Sequence, residues 1–391
     1  MTQRVGVIGG GQLAWMMAEG AKTLSLKLIV QTPSSDDPAV RIAPNPVLAA
    51  VADAHATAEL ASRCDVITFE NEFIDLPALR ELESQGVRFY PQLDCLEPIL
   101  DKYTQRQFCQ DIGLPSPRFA TLEAEADEVR IEATVAEIGL PLALKTRRHG
   151  YDGQGTFILK TLADVREAWA KLGYQPVLLE AFVPFARELA VMAARSQAGE
   201  VTVYPVVESQ QVEQVCRRVI APAGISAGVG DEVGAIATQL ITQLNYVGIL
   251  GIELFLTSDG QVLVNEIAPR THNSGHYTLD ACRTSQFEQQ LRAVTGQPLG
   301  SVEMTCAQAI MVNLLGYETV NTLDNDEYTE KKAALSAIPN AHLYWYGKTE
   351  SRPGRKLGHV TVITDAGEAA GDIIQQLEQL WYPATAAKVH A

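Results

Sequence analysis

The stretch Val262-Leu263-Val264-Asn265-Glu266-Ile267-Ala268-Pro269-Arg270-Thr271-His272-Asn273-Ser274-Gly275-His276 opens as a buried strand and turns into a run of chemically capable side chains. Just upstream, Gly251-Ile252-Glu253-Leu254-Phe255-Leu256 alternates as a strand does, and Asp259-Gly260 between the two runs predicts a two-residue hairpin turn. A loop centred on that dipeptide sets Glu253 opposite Glu266 on one face, because side chains alternate along a strand with period two. The two carboxylates then stand about 5 Å apart. Ile252, Leu254 and Leu256 are expected on the other face, with Phe255 and Val264 beside the glutamates, so the pair is not on a plain wet surface. Like charges that close raise one pKa unless a cation lies between them, and a hard divalent ion with oxygen ligands, Mg²⁺ above all, suits the gap.

A second signal is Leu142-Ala143-Leu144-Lys145-Thr146-Arg147-Arg148-His149-Gly150-Tyr151-Asp152-Gly153-Gln154-Gly155-Thr156, a strand carrying Lys145 that runs into a basic, glycine-rich loop. Glycines let backbone N–H groups approach phosphate oxygens, and the adjacent cations supply counter-charge. No Gly-Lys-Ser/Thr follows, so this is not a Walker A loop.

Together with Glu180-Ala181-Phe182-Val183 and Glu188, these segments resemble the ATP-grasp enzymes. Within them the chain is similar to the N5-carboxyaminoimidazole ribonucleotide synthetases, the bicarbonate-using ligases of bacterial purine synthesis. The similarity runs from Gly9-Gly10-Gly11-Gln12-Leu13 to Arg352-Pro353-Gly354-Arg355-Lys356-Leu357-Gly358-His359; the Asn265 to Arg270 and His272 to His276 strings are its most specific parts. The resemblance implies ATP and Mg²⁺ as cofactors. Lys102 and Lys145 would touch the ATP phosphates, with Gly150, Tyr151, Asp152, Gly153, Gln154, Gly155 and Thr156 as the lid loop. Glu180 to Val183 would read adenine through the backbone and Glu188 would hold the ribose, with Gln211 and Asn265 also at the nucleotide. Glu253 and Glu266 would carry the metal. Gln12, Leu13, Tyr151, Arg270, His272, Asn273, Ser274, Lys348 and Arg355 would surround the aminoimidazole ribonucleotide, and Asp152, Arg270 and Lys348 would take part in the chemistry, Asp152 as base. The amine would attack carboxyphosphate or CO₂ released from it. A homodimer is implied as well. The chain departs from the family pattern at Ala14-Trp15 (Gly-Arg), Gln154 (Lys), Gln211 (His) and Thr271 (Pro).

A chain of 391 residues, 47% of them hydrophobic, buries a large core and predicts two or three domains. Its net charge of −16 argues against a general nucleic-acid binder, so anionic substrates must be met by local clusters such as Lys145, Arg147 and Arg148, or Lys348, Arg352, Arg355 and Lys356. The six cysteines form no metal spacing, which fits a reduced, cytoplasmic protein. Strand-like Arg4-Val5-Gly6-Val7-Ile8 leaves no room for a signal peptide, and no apolar run reaches membrane-spanning length.

The fold expected is α/β and α+β, an ATP-grasp architecture in three parts. Strand and helix patterns alternate over Val5 to Ile8, Leu13 to Leu24, Lys27 to Gln31 and Val66 to Phe69, giving a parallel α/β domain over residues 1–98. A mixed ATP-grasp domain follows over 99–300. A small carboxy-terminal domain, 301–391, carries the β-prone His359 to Ile363 and the helical Ala366 to Leu380 and would complete the substrate site.

The rival from another class is a nicotinamide-dependent oxidoreductase, since Gly9 to Ala14 satisfies a relaxed dinucleotide fingerprint; against it, the second strand ends at Gln31, where a ribose reader needs Asp or Glu. A regulator built on the same grasp fold would be expected to have lost a metal ligand or the basic substrate side, and both are kept. Among enzymes the nearest competitor is the formate-using glycinamide ribonucleotide transformylase, which the Arg352 to His359 and His272 to His276 strings disfavour.

Overall fold

A computed structural model of the chain describes residues 2–148, 155–320, 326–365 and 369–383. Gly150, Tyr151, Asp152, Gly153 and Gln154 therefore lie outside the described residues. Among those described, the strands form three sheets.

The first sheet is parallel. Strands β1 (Arg4–Ile8), β2 (Lys27–Thr32), β3 (Val47–Leu48) and β4 (Val66–Phe69) take the order β3-β2-β1-β4. Central β1 is apolar along almost its whole length because helices cover both faces, as parallel sheets require. The helix Gln12–Thr23 buries Leu13, Met16, Met17 and Ala21, a face with helical spacing. The expected parallel α/β unit is thus present, with the strands where periodicity placed them.

The helix Lys102–Asp111 leads into the second unit. Asp101 caps it by accepting from the backbone N–H of Tyr103 and Thr104, and Arg147 Nε donates to the same carboxylate at 3.0 and 2.9 Å. The second sheet is antiparallel, made of β5 (Phe119–Leu122), β6 (Leu142–Thr146), β7 (Thr156–Leu159) and β8 (Val177–Ala181) in the order β5-β8-β6-β7.

The third sheet has nine strands. It contains β9 (Phe185–Arg195), β10 (Val201–Val203), β11 (Val207–Val212), β12 (Val215–Ala221), β13 (Gly248–Thr257), β14 (Val262–Ala268), β15 (Gln308–Leu315), β16 (Ala341–Trp345) and β17 (Lys356–Thr364). Its order is β14-β13-β9-β11-β12-β15-β17-β16, with β10 also on β9. The carboxy-terminal strands thus continue the central sheet, β15 pairing antiparallel with β12. The last helix, Ala370–Trp381, packs Ile373, Ile374, Leu377 and Trp381 into a core shared with β15 and β17.

Register decides what the β13–β14 hairpin presents. Glu253 does pair with Glu266, but by a different route from the one expected. The turn has three residues, Ser258 to Gly260, closed by Thr257 N–H on Gln261 O at 3.0 Å, with Gly260 at φ +88°. That offset alone would misalign the glutamates, and a bulge at Asn265 restores them: Leu254 faces Val264, whereas Glu253 faces Glu266. The bulge also corrects one placement. Val264 lies fully buried on the core face with Ile252 and Leu254, not beside the glutamates, because the extra residue reverses the alternation between 264 and 266.

Candidate active site

A cavity of about 780 Å³ opens between the three sheets. The described candidates line it with two exceptions. Gly155 sits at φ +82° beside it, where a Cβ would meet the Thr146 hydroxyl at 2.3 Å. Ser274 is buried behind His272, with its hydroxyl 2.7 Å from His272 Nδ1.

Glu180 to Val183, at the end of β8, and Phe185 on β9 form one end of the cavity, where Phe185 stacks on Phe255 at 4.8 Å between ring centroids. Glu188 pairs with Phe255 across β9 and β13, which puts it on the same face as Glu253 and Glu266. Gln211, on the β11–β12 hairpin, and Thr156, opposite Lys145 on β7, complete this end.

At the centre, cations and carboxylates alternate. Arg106 Nε binds Glu180 Oε1, Lys145 Nζ reaches Glu180 Oε2 at 2.6 Å and Asn265 Oδ1 at 3.0 Å, and Lys102 Nζ reaches Glu266 Oε1 at 2.5 Å. Burial pushes the Glu180 carboxyl up, and Arg106 and Lys145 overcome this to hold it at about 2. The same burial pushes the Lys145 ammonium down, with Glu180 opposing it. The facing glutamates separate. Burial raises Glu266, but the Lys102 charge and hydrogen bond bring it below the ordinary range. Burial, then the charges of Glu266 and Glu188, push Glu253 up to about 7. Burial likewise lifts Glu188 to about 7.

The hard oxygens of Glu253 and Glu266 fit Mg²⁺. No group of three His, Cys, Asp or Glu side chains that could hold a metal ion occurs among the described residues, so the fit rests on these two carboxylates.

The far end is basic. Arg270 Nε pairs with Glu72 Oε1 at 2.9 Å, and His272 Nε2 lies 3.5 Å from Glu253 Oε1. The His272 backbone is clamped by Gln286, whose Oε1 accepts its N–H at 2.9 Å while Nε2 donates to its O at 2.7 Å. Asn273 faces the same space, as do Lys348, Arg352, Arg355 and Lys356 from the opposite wall. Lys348 Nζ donates to Lys356 O at 2.8 Å, and Arg355 Nη1 lies 3.3 Å from Glu350 Oε2. Gln12 and Leu13, from the first helix, close this end.

Among the lining or bracing residues that escaped the sequence reading are Arg106, Glu72 and Gln286. Arg106 follows Lys102 by one helical turn and so shares its face, a spacing that could have flagged it. Glu72 and Gln286 carried no comparable signal.

The glycine triplet does not bind a dinucleotide in the manner of its rival. The Glu70 carboxylate accepts from Gly11 N–H at 2.7 Å and Ala14 N–H at 3.0 Å, filling the helix N-terminus where a pyrophosphate would sit. Gln31 is fully buried, its amide spent on Ala50 O, Asp53 O and the Thr57 hydroxyl. Of the departures, Trp15 packs edge-on against Tyr346 at 6.2 Å and Thr271 is buried.

Three family descriptions match the chain: the ribonucleotide synthetase preATP-grasp domain over residues 1–99, the ATP-grasp domain over 107–287, and the phosphoribosylaminoimidazole carboxylase C-terminal domain over 309–372. A curated relative from Synechococcus elongatus, an N5-carboxyaminoimidazole ribonucleotide synthase, is 54% identical over 97% of this chain and 95% of its own. The chain belongs to the N5-carboxyaminoimidazole ribonucleotide synthase family. It is an ATP-grasp ligase by membership. Two crystal structures of the synthase from Aspergillus clavatus align with a TM-score of 0.89 each. One, complexed with ATP, is 32% identical over 97% of this chain and 98% of that one; the other, with ADP and 5-aminoimidazole ribonucleotide, is 31% identical over 98% and 99%.

Proposed function

We propose that the chain carboxylates 5-aminoimidazole ribonucleotide with bicarbonate in an ATP-dependent reaction, giving N5-carboxyaminoimidazole ribonucleotide, ADP and phosphate by way of carboxyphosphate, as a step of de novo purine synthesis. The observation that carries this is the single cavity joining the β8 hinge, the Glu253–Glu266 pair and the basic far wall. A nucleotide and a second phosphorylated substrate meet there over two carboxylates.

In this reading the adenine lies against the backbone of Glu180 to Val183, the ribose against Glu188, and the phosphates along Lys102 and Lys145, near Gln211 and Asn265. Mg²⁺ on Glu253 and Glu266 would neutralise phosphate oxygens. A bicarbonate oxygen attacks the γ-phosphorus, the bond to ADP breaks, and Arg270 offsets the charge on the transferring group. The amine nitrogen of the ribonucleotide then bonds to carbon, either that of carboxyphosphate, from which phosphate departs with the bonding pair, or that of CO₂ once the same bond has broken. The amine proton passes to Asp152, whose role, like that of Tyr151 at the substrate, rests on the resemblance alone. His272 and Asn273 would hold the aminoimidazole, Ser274 acting through His272. Lys348 and Arg355 would grip the 5′-phosphate. Residues 1–98 and 301–391 would thus face the ribonucleotide end, while 99–300 would supply the ATP end and, through Arg270 to Ser274, part of the ribonucleotide end as well. A homodimer, on the resemblance, and a cytoplasmic setting, on the cysteine pattern, complete the proposal.

The purified enzyme should release phosphate in step with ribonucleotide consumed when given ATP, bicarbonate and aminoimidazole ribonucleotide. It should release none when formate and glycinamide ribonucleotide replace the last two. The reverse pattern would move the chain to the formate-using branch.

A further inference from the structure

We infer that Asn313 is a positioning residue for the ribonucleotide end of the site, fixing which way the amide of Asn273 is turned. The inference rests on the reading that Asn273 faces that substrate.

Asn313 lies on β15, is fully buried, and meets Asn273 amide to amide. Asn273 Nδ2 donates to Asn313 Oδ1 at 2.9 Å, and Asn313 Nδ2 donates back to Asn273 Oδ1 at 2.7 Å. A pair of this kind is satisfied equally well if both amides are reversed together. Here it is not free to reverse. Asn313 Nδ2 also donates to the backbone carbonyl of Cys216, on β12, at 2.9 Å. A carbonyl oxygen can only accept, so Asn313 must keep its nitrogen on that side. Its oxygen then has one possible position, and Asn273 must offer its nitrogen to that oxygen and its own oxygen to the Asn313 nitrogen. Reversing Asn273 alone would set N–H against N–H and oxygen against oxygen in a buried place, leaving polar groups unpaired.

Asn313 thereby has both N–H groups and its oxygen engaged, while Asn273 retains one N–H and one lone pair for other partners. Since Asn273 lines the cavity, those two unspent groups occupy set positions before any ligand arrives. A mobile amide would have to be ordered on binding, and half of its orientations would present the wrong group. Asn313 touches neither substrate; it acts through Asn273. The strand that carries it belongs to the carboxy-terminal unit and Cys216 to the central one, so the amide is aligned only when the two are joined.

The test is a double-mutant cycle in the full-length enzyme. Asn313→Leu should raise KM for the ribonucleotide roughly tenfold, the scale of one or two net hydrogen bonds, and leave KM for ATP within about twofold. Asn273→Leu should do at least as much, and the double variant no more than Asn273→Leu alone. Should Asn313→Leu fail to fold, Asn313→Ser, whose hydroxyl can serve only one of the two oxygens, should give the same selective rise in smaller measure. Normal ribonucleotide KM in the Asn313 variants, or effects that multiply in the double variant, would overturn the positioning role while leaving Asn273 at the substrate. An unchanged ribonucleotide KM in Asn273→Leu would remove the underlying reading and this inference with it. A fall in thermal stability with both KM values unchanged would reduce Asn313 to a structural bond.

Discussion

Glu253 and Glu266 face each other across one hairpin and yet titrate on opposite sides of the ordinary range, because Lys102 stands 2.5 Å from one of them. Below about pH 7, Glu253 holds a proton that must leave before a cation binds. Mg²⁺ affinity should accordingly climb by up to about tenfold per pH unit toward 7 and level off above it, and Glu253→Gln should remove the slope. Titrating the Mg²⁺ dependence of turnover from pH 6 to 8 checks this; a flat profile in the unmodified enzyme would contradict it. The metal-free fold has the opposite sensitivity. A carboxyl raised in the folded state contributes stability below its unfolded pKa and loses it as pH rises through 7. This pair was legible in the sequence because its partners lie on one hairpin. For Arg106 only the shared helix face with Lys102 was legible, since its partners, Glu180 and the Asn265 carbonyl, lie 74 and 159 residues away. Arg106→Met should cost about 3–5 kcal/mol by chemical denaturation, since it leaves a buried carboxylate short of a partner. A loss under about 1 kcal/mol would mean that Lys145 alone satisfies Glu180.

Among elements, the same hairpin shows where pattern reading succeeds and fails. Strand identity and the Glu253–Glu266 pairing follow from alternation and the Asp259-Gly260 signal. The three-residue turn and the bulge do not, because alternation carries no mark of an inserted residue until a partner strand is present to count against. Two offsets cancelled at the glutamates and did not cancel at Val264. The bulge earns its place chemically: it turns consecutive residues, Asn265 and Glu266, toward one cavity, which a regular strand forbids. One strand further in, Gly251 lets the substrate loop rest directly on β13, where a Cβ would lie 2.5 Å from His272 Cβ. Gly251→Ala should displace that loop, raising ribonucleotide KM about tenfold or more while ATP binding changes little, as steady-state kinetics with each substrate varied would register. Equal impairment of both would place the damage in the sheet instead of the loop.

At the scale of the whole molecule, the amino-terminal unit reaches the carboxy-terminal wall through Arg41, whose guanidinium donates to Gly347 O at 2.5 Å. Gly347 sits at φ +69°, and a Cβ there would lie 1.8 Å from the Arg41 Nη1. The contact holds the residue before Lys348, so Arg41→Ala should raise ribonucleotide KM a few-fold with kcat nearly unchanged; isothermal titration with the ribonucleotide would reveal an unaltered affinity if the contact is idle. Composition and periodicity made the outer α/β unit and the small carboxy-terminal unit readable, whereas the pairing that runs the central sheet on into the latter was not, because β12, the neighbour of β15, lies far back in the chain. That junction governs what can be cut away. Ending the chain near residue 300 would strip β15 from β12 and bare a row of N–H and C=O groups along the β12 edge, a ready template for another copy of itself. The resulting fragment would keep the ATP end of the site, yet its first product would be clumps.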